Sequence, residues 1–375
     1  MKENLRQALG SLLVVGLSGT ELTGLERAWL KLVRPSGVIL FRRNIADAKQ
    51  TRALLDEATA LCAPHSLRSV DVEGGTVDRL RDALASMPSA LAVASAARAN
   101  VPRSQKRDLG HPSNLGREHG ELIARAVKAF GFNTTLAPVL DLALPESVDV
   151  MGTRAAGATA EEVIVYARNF LAGLASQNVA GCGKHFPGLG GGALDSHLET
   201  PAIHRRMREL WSEDLLPYRE LHNELPMVMV NHAAYPNTPG KNRPASASPY
   251  WISAVLRKRI CYKGIIFSDD LEMGGILKFM SIEEAAIEAI RAGMSLVEIC
   301  HTPELILRAY EALITEAERS SAFSNLLISR AKQTARQRTK LFTSGVSPAL
   351  TAKQFEALRA RILRFAKTVK EAQPA

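Results

Sequence analysis

The stretch "GKHFPGLGGGALDSHLETP", Gly183 to Pro201, sets Lys184, His185, Asp195 and His197 among five glycines. Three chemistries use such a mixture. Glycines let backbone N–H groups close around a phosphate, imidazole and carboxylate together can ligate a metal, and an Asp195–His197 pair on a mobile loop can deliver a proton. The stretch alone leaves all three open, beside a plain glycine-rich turn. The choice depends on the elements that hold it.

Short apolar runs alternate with helical patterns along the whole chain. Strands are expected at Leu12–Val15, Val38–Phe41, Leu67–Val72, Thr134–Val139, Val179–Lys184, Met227–Asn231, Gly264–Ser268 and Ser295–Cys300. Most are continuous apolar runs without alternation, the signature of parallel strands covered on both faces. Between them lie amphipathic helices that announce their ends. Thr23–Glu26, Thr159–Glu162 and Ser281–Glu284 read as capping boxes, and Gly293 as a helix-terminating glycine. Eight βα units predict an α/β fold of the (β/α)₈ TIM-barrel type in one domain, with a doubly wound open sheet as the alternative. Residues 1–345 would form the barrel and residues 346–375 a helical tail. The polar, basic segment from Ala94 to Asn114 is expected to be a loop.

Composition narrows the function. With 46% hydrophobic, 23% charged and 5% aromatic residues, the chain can bury a large core. Its net charge of +9 comes without a basic–aromatic pattern, so Arg103 to Arg107 and Arg359 to Lys370 read as solvated surface and no nucleic-acid partner is expected. Cys62, Cys182, Cys261 and Cys300 lack CxxC spacing and suit a reducing compartment. The N-terminal "LGSLLVVGLSG" is too short and interrupted for a secretory signal, and no run reaches the ~20 apolar residues of a membrane span. A cytoplasmic protein without a membrane partner is expected.

On this map the polar residues gather at one end. Asp71 ends the third strand, Asp141 follows the fourth, Lys184 and His185 end the fifth, His232 the sixth, and Asp269 and Asp270 the seventh. In a barrel these positions share the C-terminal rim, where active sites of this fold are built. Each also has a structural reading: Asp71 as a turn residue, Asp141 as a cap of the following loop, which is the preferred reading for it, His232 as a core imidazole, and the Asp269–Asp270 pair as helix caps.

The motifs "GVILFRRN", "DVEGG", "APVLD", "GKHFPG" with "DSH", "RPASASPYW" and "FSDDLEM" follow one another in an order that resembles the family 3 glycoside hydrolases, in particular the cytoplasmic β-N-acetylglucosaminidases of peptidoglycan recycling. The likeness runs from about Leu9 to Glu316. It implies a (β/α)₈ barrel, with Asp269 as catalytic nucleophile, His197 as general acid/base and Asp195 orienting it. Asp71, Arg79, Arg154, Lys184 and His185 would hold the terminal N-acetylglucosamine of a muropeptide, with no metal or other cofactor. Three positions depart from the family pattern: Leu189 stands where a histidine is usual, Thr76 where an arginine is, and Ser295 where an acid is.

The implied roles are chemically coherent. Retaining glycosidases use two carboxyl groups, and here a histidine would replace one of them. An imidazole of pKa ~6.5, its tautomer fixed by an aspartate, exchanges protons at neutral pH. The glycines at 188 and 190 to 192 would then act as hinges. Alternatives are a glycoside phosphorylase on the same site, a non-catalytic sugar-binding barrel, and a metal-dependent hydrolase using His185, Asp195 and His197.

Overall fold

The computed structural model describes residues 2–99, 114–192, 201–241, 243–343 and 345–373. Eight parallel strands close into a barrel: β1 (Leu13–Gly16), β2 (Gly37–Leu40), β3 (Leu67–Val70), β4 (Thr134–Thr135), β5 (Ala180–Phe186), β6 (Met227–Val230), β7 (Ile265–Asp270) and β8 (Leu296–Ile299). Each strand pairs with its neighbour in sequence. β8 then returns to β1, with Leu13 opposite Val297. The open-sheet alternative is thereby excluded.

The continuous apolar runs are explained by two cores. Val14, Ile39, Leu67, Cys182, Met229 and Phe267 point inward and fill the barrel. Their neighbours Leu13, Val15, Val38, Leu40, Val228 and Ile266 face the surrounding helices. Both faces of each strand are thus dry, so the period-2 pattern of a half-exposed sheet is absent.

The expected strands are found, with ends that shift for local reasons. β4 is shorter than Thr134–Val139, because Pro138 has no N–H to give the ladder, although Val139 still bridges to Lys184. β5 runs on to Phe186. The third strand stops at Val70, and Val72–Gly74 pairs instead with Val77–Asp78 in a small antiparallel hairpin. All three capping boxes form, and Gly293 ends its helix at φ 118°.

One expectation is corrected. Ala94 to Ala99 is not loop but the second half of a helix, Ala90–Ala99. Its run of alanines has the highest helix propensity, and Val93, Ala94 and Ala96 are buried. Arg103 to Arg107 lie outside the described residues. The last helix, Ala352–Glu371, buries Leu358, Ile362, Phe365 and Val369 against the helices Asn114–Ala129 and Ala90–Ala99, and exposes Arg359, Arg364, Lys367 and Lys370. The four cysteines are all free thiols. Among the described residues no helix is long and apolar enough to cross a membrane.

Candidate active site

The C-terminal ends of the strands surround a pocket of about 420 Å³, a volume within the usual range for a small-molecule site. Six of the eight expected site residues line it: Asp71, Arg79, Arg154, Lys184, His185 and Asp269. The other two, Asp195 and His197, lie outside the described residues.

The side built on β3, β4 and β5 is an ion network. Lys184, two residues before the end of β5, turns its side chain inward, and its Nζ lies 2.8 Å from Asp71 Oδ1 and 2.6 Å from Glu73 Oε1. The second face of Glu73 receives Arg154, Nε at 2.8 Å and Nη2 at 2.9 Å. Burial works to raise the Glu73 carboxyl, but Arg154 and Lys184 outweigh it and hold the group well below the usual carboxylate range. Burial likewise opposes the Lys184 charge, and Asp71 and Glu73 overcome it, so the ammonium is held more firmly than usual. Arg79 approaches Asp71 Oδ2 only to 3.9 Å and leans toward the Phe41 ring.

His185 is fixed from behind. Its Nδ1 lies 2.7 Å from Asp141 Oδ2, so Nδ1 carries the proton, and Nε2 is left facing Arg154 Nη2 at 3.4 Å. Asp141 also accepts from the backbone N–H of His185 at 3.2 Å and, through Oδ1, from that of Leu189 at 2.7 Å. Asp141 therefore pins the histidine and the turn after it, where a simple loop cap was expected.

On the other side β7 presents Asp269, partly open to the pocket. Burial would raise this carboxyl, yet His185, His232, the N–H of Asp270 and Lys184 together draw it below its ordinary value, so it is ionised at neutral pH. Asp270 behaves differently. Its Oδ1 accepts from the N–H groups of Glu272 (3.0 Å) and Cys300 (3.2 Å), but burial, with Glu272 and Asp269 near, pushes it up to about 7. Neither aspartate caps the helix Gly274–Leu277, whose N-cap is Met273. His232 does not border the pocket. It is fully buried behind β7, with Nε2 2.9 Å from Asp270 O and Nδ1 2.7 Å from Ser246 Oγ.

The glycines after His185 have a packing role. Gly188 has φ 130°, and a Cβ there would stand 2.8 Å from Asp214 Cβ. At Gly190 a Cβ would meet Leu142 O at 2.7 Å, and at Gly191 it would meet Arg205 Cδ at 2.9 Å. The left-handed backbone of Gly188 and the approach of Gly190 to the Leu142 backbone are what only glycine permits, so a hinge role is not needed to explain these two, while Gly191 faces only the Arg205 side chain. Of the three departures from the family pattern, only Leu189 borders the pocket. Thr76 is exposed at the hairpin turn, and Ser295 lies at the far end of β8, where its Oγ accepts from Ile266 N and Arg257 Nη2, each at 3.1 Å.

Glu73 is the main residue that sequence reasoning passed over. The signal was a second acid two positions after Asp71. Glu298, also in the pocket, was likewise signalled by a single acid inside the apolar run of β8.

A closed eight-stranded barrel with an acid-and-base-lined pocket at its C-terminal rim defines the class, and the comparisons give the family. Residues 4–331 match the family described as the glycosyl hydrolase family 3 N-terminal domain. The chain belongs to glycoside hydrolase family 3 and is an enzyme of the glycoside hydrolase class. It is 33% identical over 319 residues to a β-hexosaminidase of Idiomarina loihiensis, covering 84% of this chain and 92% of the relative. It is 38% identical over 295 residues to a β-hexosaminidase of Alkalilimnicola ehrlichii, covering 78% and 82%. Among solved structures it is similar to native NagZ from Neisseria gonorrhoeae, with a TM-score of 0.74 and 27% identity over 97% of this chain and 98% of that one.

Proposed function

We propose that this enzyme is a retaining exo-β-N-acetylglucosaminidase that removes terminal N-acetylglucosamine from peptidoglycan-derived muropeptides in the cytoplasm. The observation that carries the reading is Asp269, an ionised carboxylate facing the same small pocket as the Asp71–Lys184–Glu73–Arg154 network. The pocket is bounded by the apolar side chains of Ile39, Leu136 and Met229, which favours a sugar from a chain end over an internal one. The relatives named β-hexosaminidase support the sugar class.

In the first step Asp269 attacks the anomeric carbon, and the glycosidic oxygen leaves with a proton from His197. In the second, His197 takes a proton from water, which displaces Asp269 and regenerates the free carboxylate. Asp195 would hold the imidazole in the productive tautomer. Asp71, Lys184, Arg154, His185 and Arg79 would grip the sugar hydroxyls and the amide.

The test is turnover of a chromogenic β-N-acetylglucosaminide beside the matching β-glucoside. The expected result is strong preference for the former, with equal rates in phosphate and non-phosphate buffer. A rate that requires phosphate would make the enzyme a phosphorylase, and sugar binding without turnover would make it a silent barrel. His197→Ala should lose on the order of 10²–10⁴ in rate on a poor leaving group. On an activated aryl glycoside it should instead release a burst of phenol. Equal losses on both substrates without a burst would remove His197 from the acid/base role.

A further inference from the structure

The run Leu296–Cys300 is apolar except for Glu298. Strand alternation turns that residue inward, since Leu296 and Cys300, two positions to either side, both belong to the barrel interior. Glu298 is 2% exposed and borders the same pocket as Asp269 and Lys184. Its backbone N–H is bonded to Ser268 Oγ at 2.9 Å, yet among the described residues its side-chain Oε1 meets no hydrogen-bond partner. We propose that Glu298 is a specificity-determining substrate residue, whose carboxyl hydrogen-bonds the polar group of the sugar that reaches deepest into the pocket.

This assignment rests on the glycosidase reading above. A carboxyl retained for the scaffold would be paired, as Glu73 is with Lys184 and Arg154. Glu298 has no such partner, and a buried polar atom without one weakens the fold. A bound sugar would supply what is missing. Burial, with Asp270, Asp71 and Asp269 close by, pushes the carboxyl well above its usual range, and Lys184 only partly opposes this. The shift favours the protonated carboxyl, which offers both a donor and an acceptor, the pair a sugar hydroxyl uses.

Two variants test it, Glu298→Gln, which keeps one donor and one acceptor, and Glu298→Leu, which keeps neither. Three quantities are measured on each: kcat/KM on the chromogenic β-N-acetylglucosaminide, the Kd for free N-acetylglucosamine by calorimetry, and the Tm without sugar. For Glu298→Leu we expect kcat/KM to fall and Kd to rise on the order of 10- to 100-fold, while Tm rises by roughly 2–4 °C. Glu298→Gln should stay within about threefold of wild type in both constants. The proposal is overturned if Glu298→Leu binds the sugar as tightly as wild type does. It is also overturned if both variants weaken alike with a lowered Tm, which would mark a scaffold role. Should the wild type bind N-acetylglucosamine without turning over the glycoside, the glycosidase reading falls, and the ratio of Kd values still decides the role of Glu298.

Discussion

The two sides of the pocket follow opposite electrostatic rules. On the β3–β5 side the charges answer each other: Lys184 sits between Asp71 and Glu73, Arg154 forks onto Glu73, and Asp141 holds His185. On the β7–β8 side Asp269 is met by a backbone N–H, Asp270 by two N–H groups and, at 3.4 Å, by His301, and Glu298 Oε1 by no described residue. The first side is preorganised, since its ion pairs hold the binding groups in place before any sugar arrives. The second keeps polar capacity that the fold itself does not satisfy. On the proposed function the contrast would separate gripping from reacting within one pocket, and it predicts that substitutions on the two sides fail in different ways.

The largest effect should come from Asp269→Asn, which removes the proposed nucleophile: turnover should fall at least about 10³-fold, while the Tm falls only slightly, because the fold lowers this carboxyl far less than it lowers Glu73. A marked loss of Tm in a melting experiment would break the comparison, because it would mean that Asp269 supports the fold as Glu73 does. Glu73→Gln is the converse. It leaves Lys184 and Arg154 partly unanswered in a buried place and should cost about 3–5 kcal/mol of stability. The pH dependence carries a sign. Glu73 is lowered in the folded state, so its contribution is complete above the unfolded carboxyl pKa of ~4.3 and is lost as pH falls below it. The gap in Tm between wild type and Glu73→Gln should accordingly hold down to about pH 5 and narrow from there toward pH 3, and a gap that stays constant to pH 3 would contradict the pairing.

Asp141→Asn tests the support behind the grip. The amide cannot accept from His185 and Leu189 together as the carboxylate does, and kcat/KM should fall roughly 10-fold with most of the change in KM. A change confined to kcat would place His185 among the reacting groups instead. The smallest effect is expected for Asp270→Asn, an isosteric copy of the protonated acid. Activity below pH 7 should stay within a few-fold, and any inflection of kcat/KM near pH 7 should flatten. Because Asp270 is raised to about 7 when folded, the wild type loses stability as pH climbs from about 4 to about 7. The variant should lose less over that range, and identical Tm profiles would show that Asp270 ionises freely.

The difference between the sides also explains what could be read from the residues alone. Strand ends are local events: an apolar run that stops at Asp71, Lys184 or Asp269 announces a rim position without knowledge of any partner. That is why Asp71, Lys184, His185 and Asp269 could be expected to meet in one pocket, whereas Arg79 and Arg154 were expected only from the family resemblance. The partnerships are non-local. Glu73 finds Arg154 and Lys184 only after β3, β4 and β5 pair in register, and Asp141 reaches His185 only because Leu140 N donates to Lys184 O across the β4–β5 edge. Gly188 and Gly190 look like flexibility in the sequence, and the close approaches that favour glycine there are made by Asp214 and Leu142, both outside the loop. Ala94 to Ala99 was hidden by the polar segment after it, which masked a helix of low side-chain volume.

Ring closure has a consequence for how the chain comes off the ribosome. Of the eight strands β1 emerges first, yet one of its edges can be covered only by β8, whose Val297 lies opposite Leu13. Until that late strand arrives, the nascent sheet carries an exposed edge on β1 and a second on the newest strand, each a template for wrong pairing. A chain released before residue 296 would keep both edges open, however well its first seven strands were formed, and should be recovered in inclusion bodies and not as a shortened barrel.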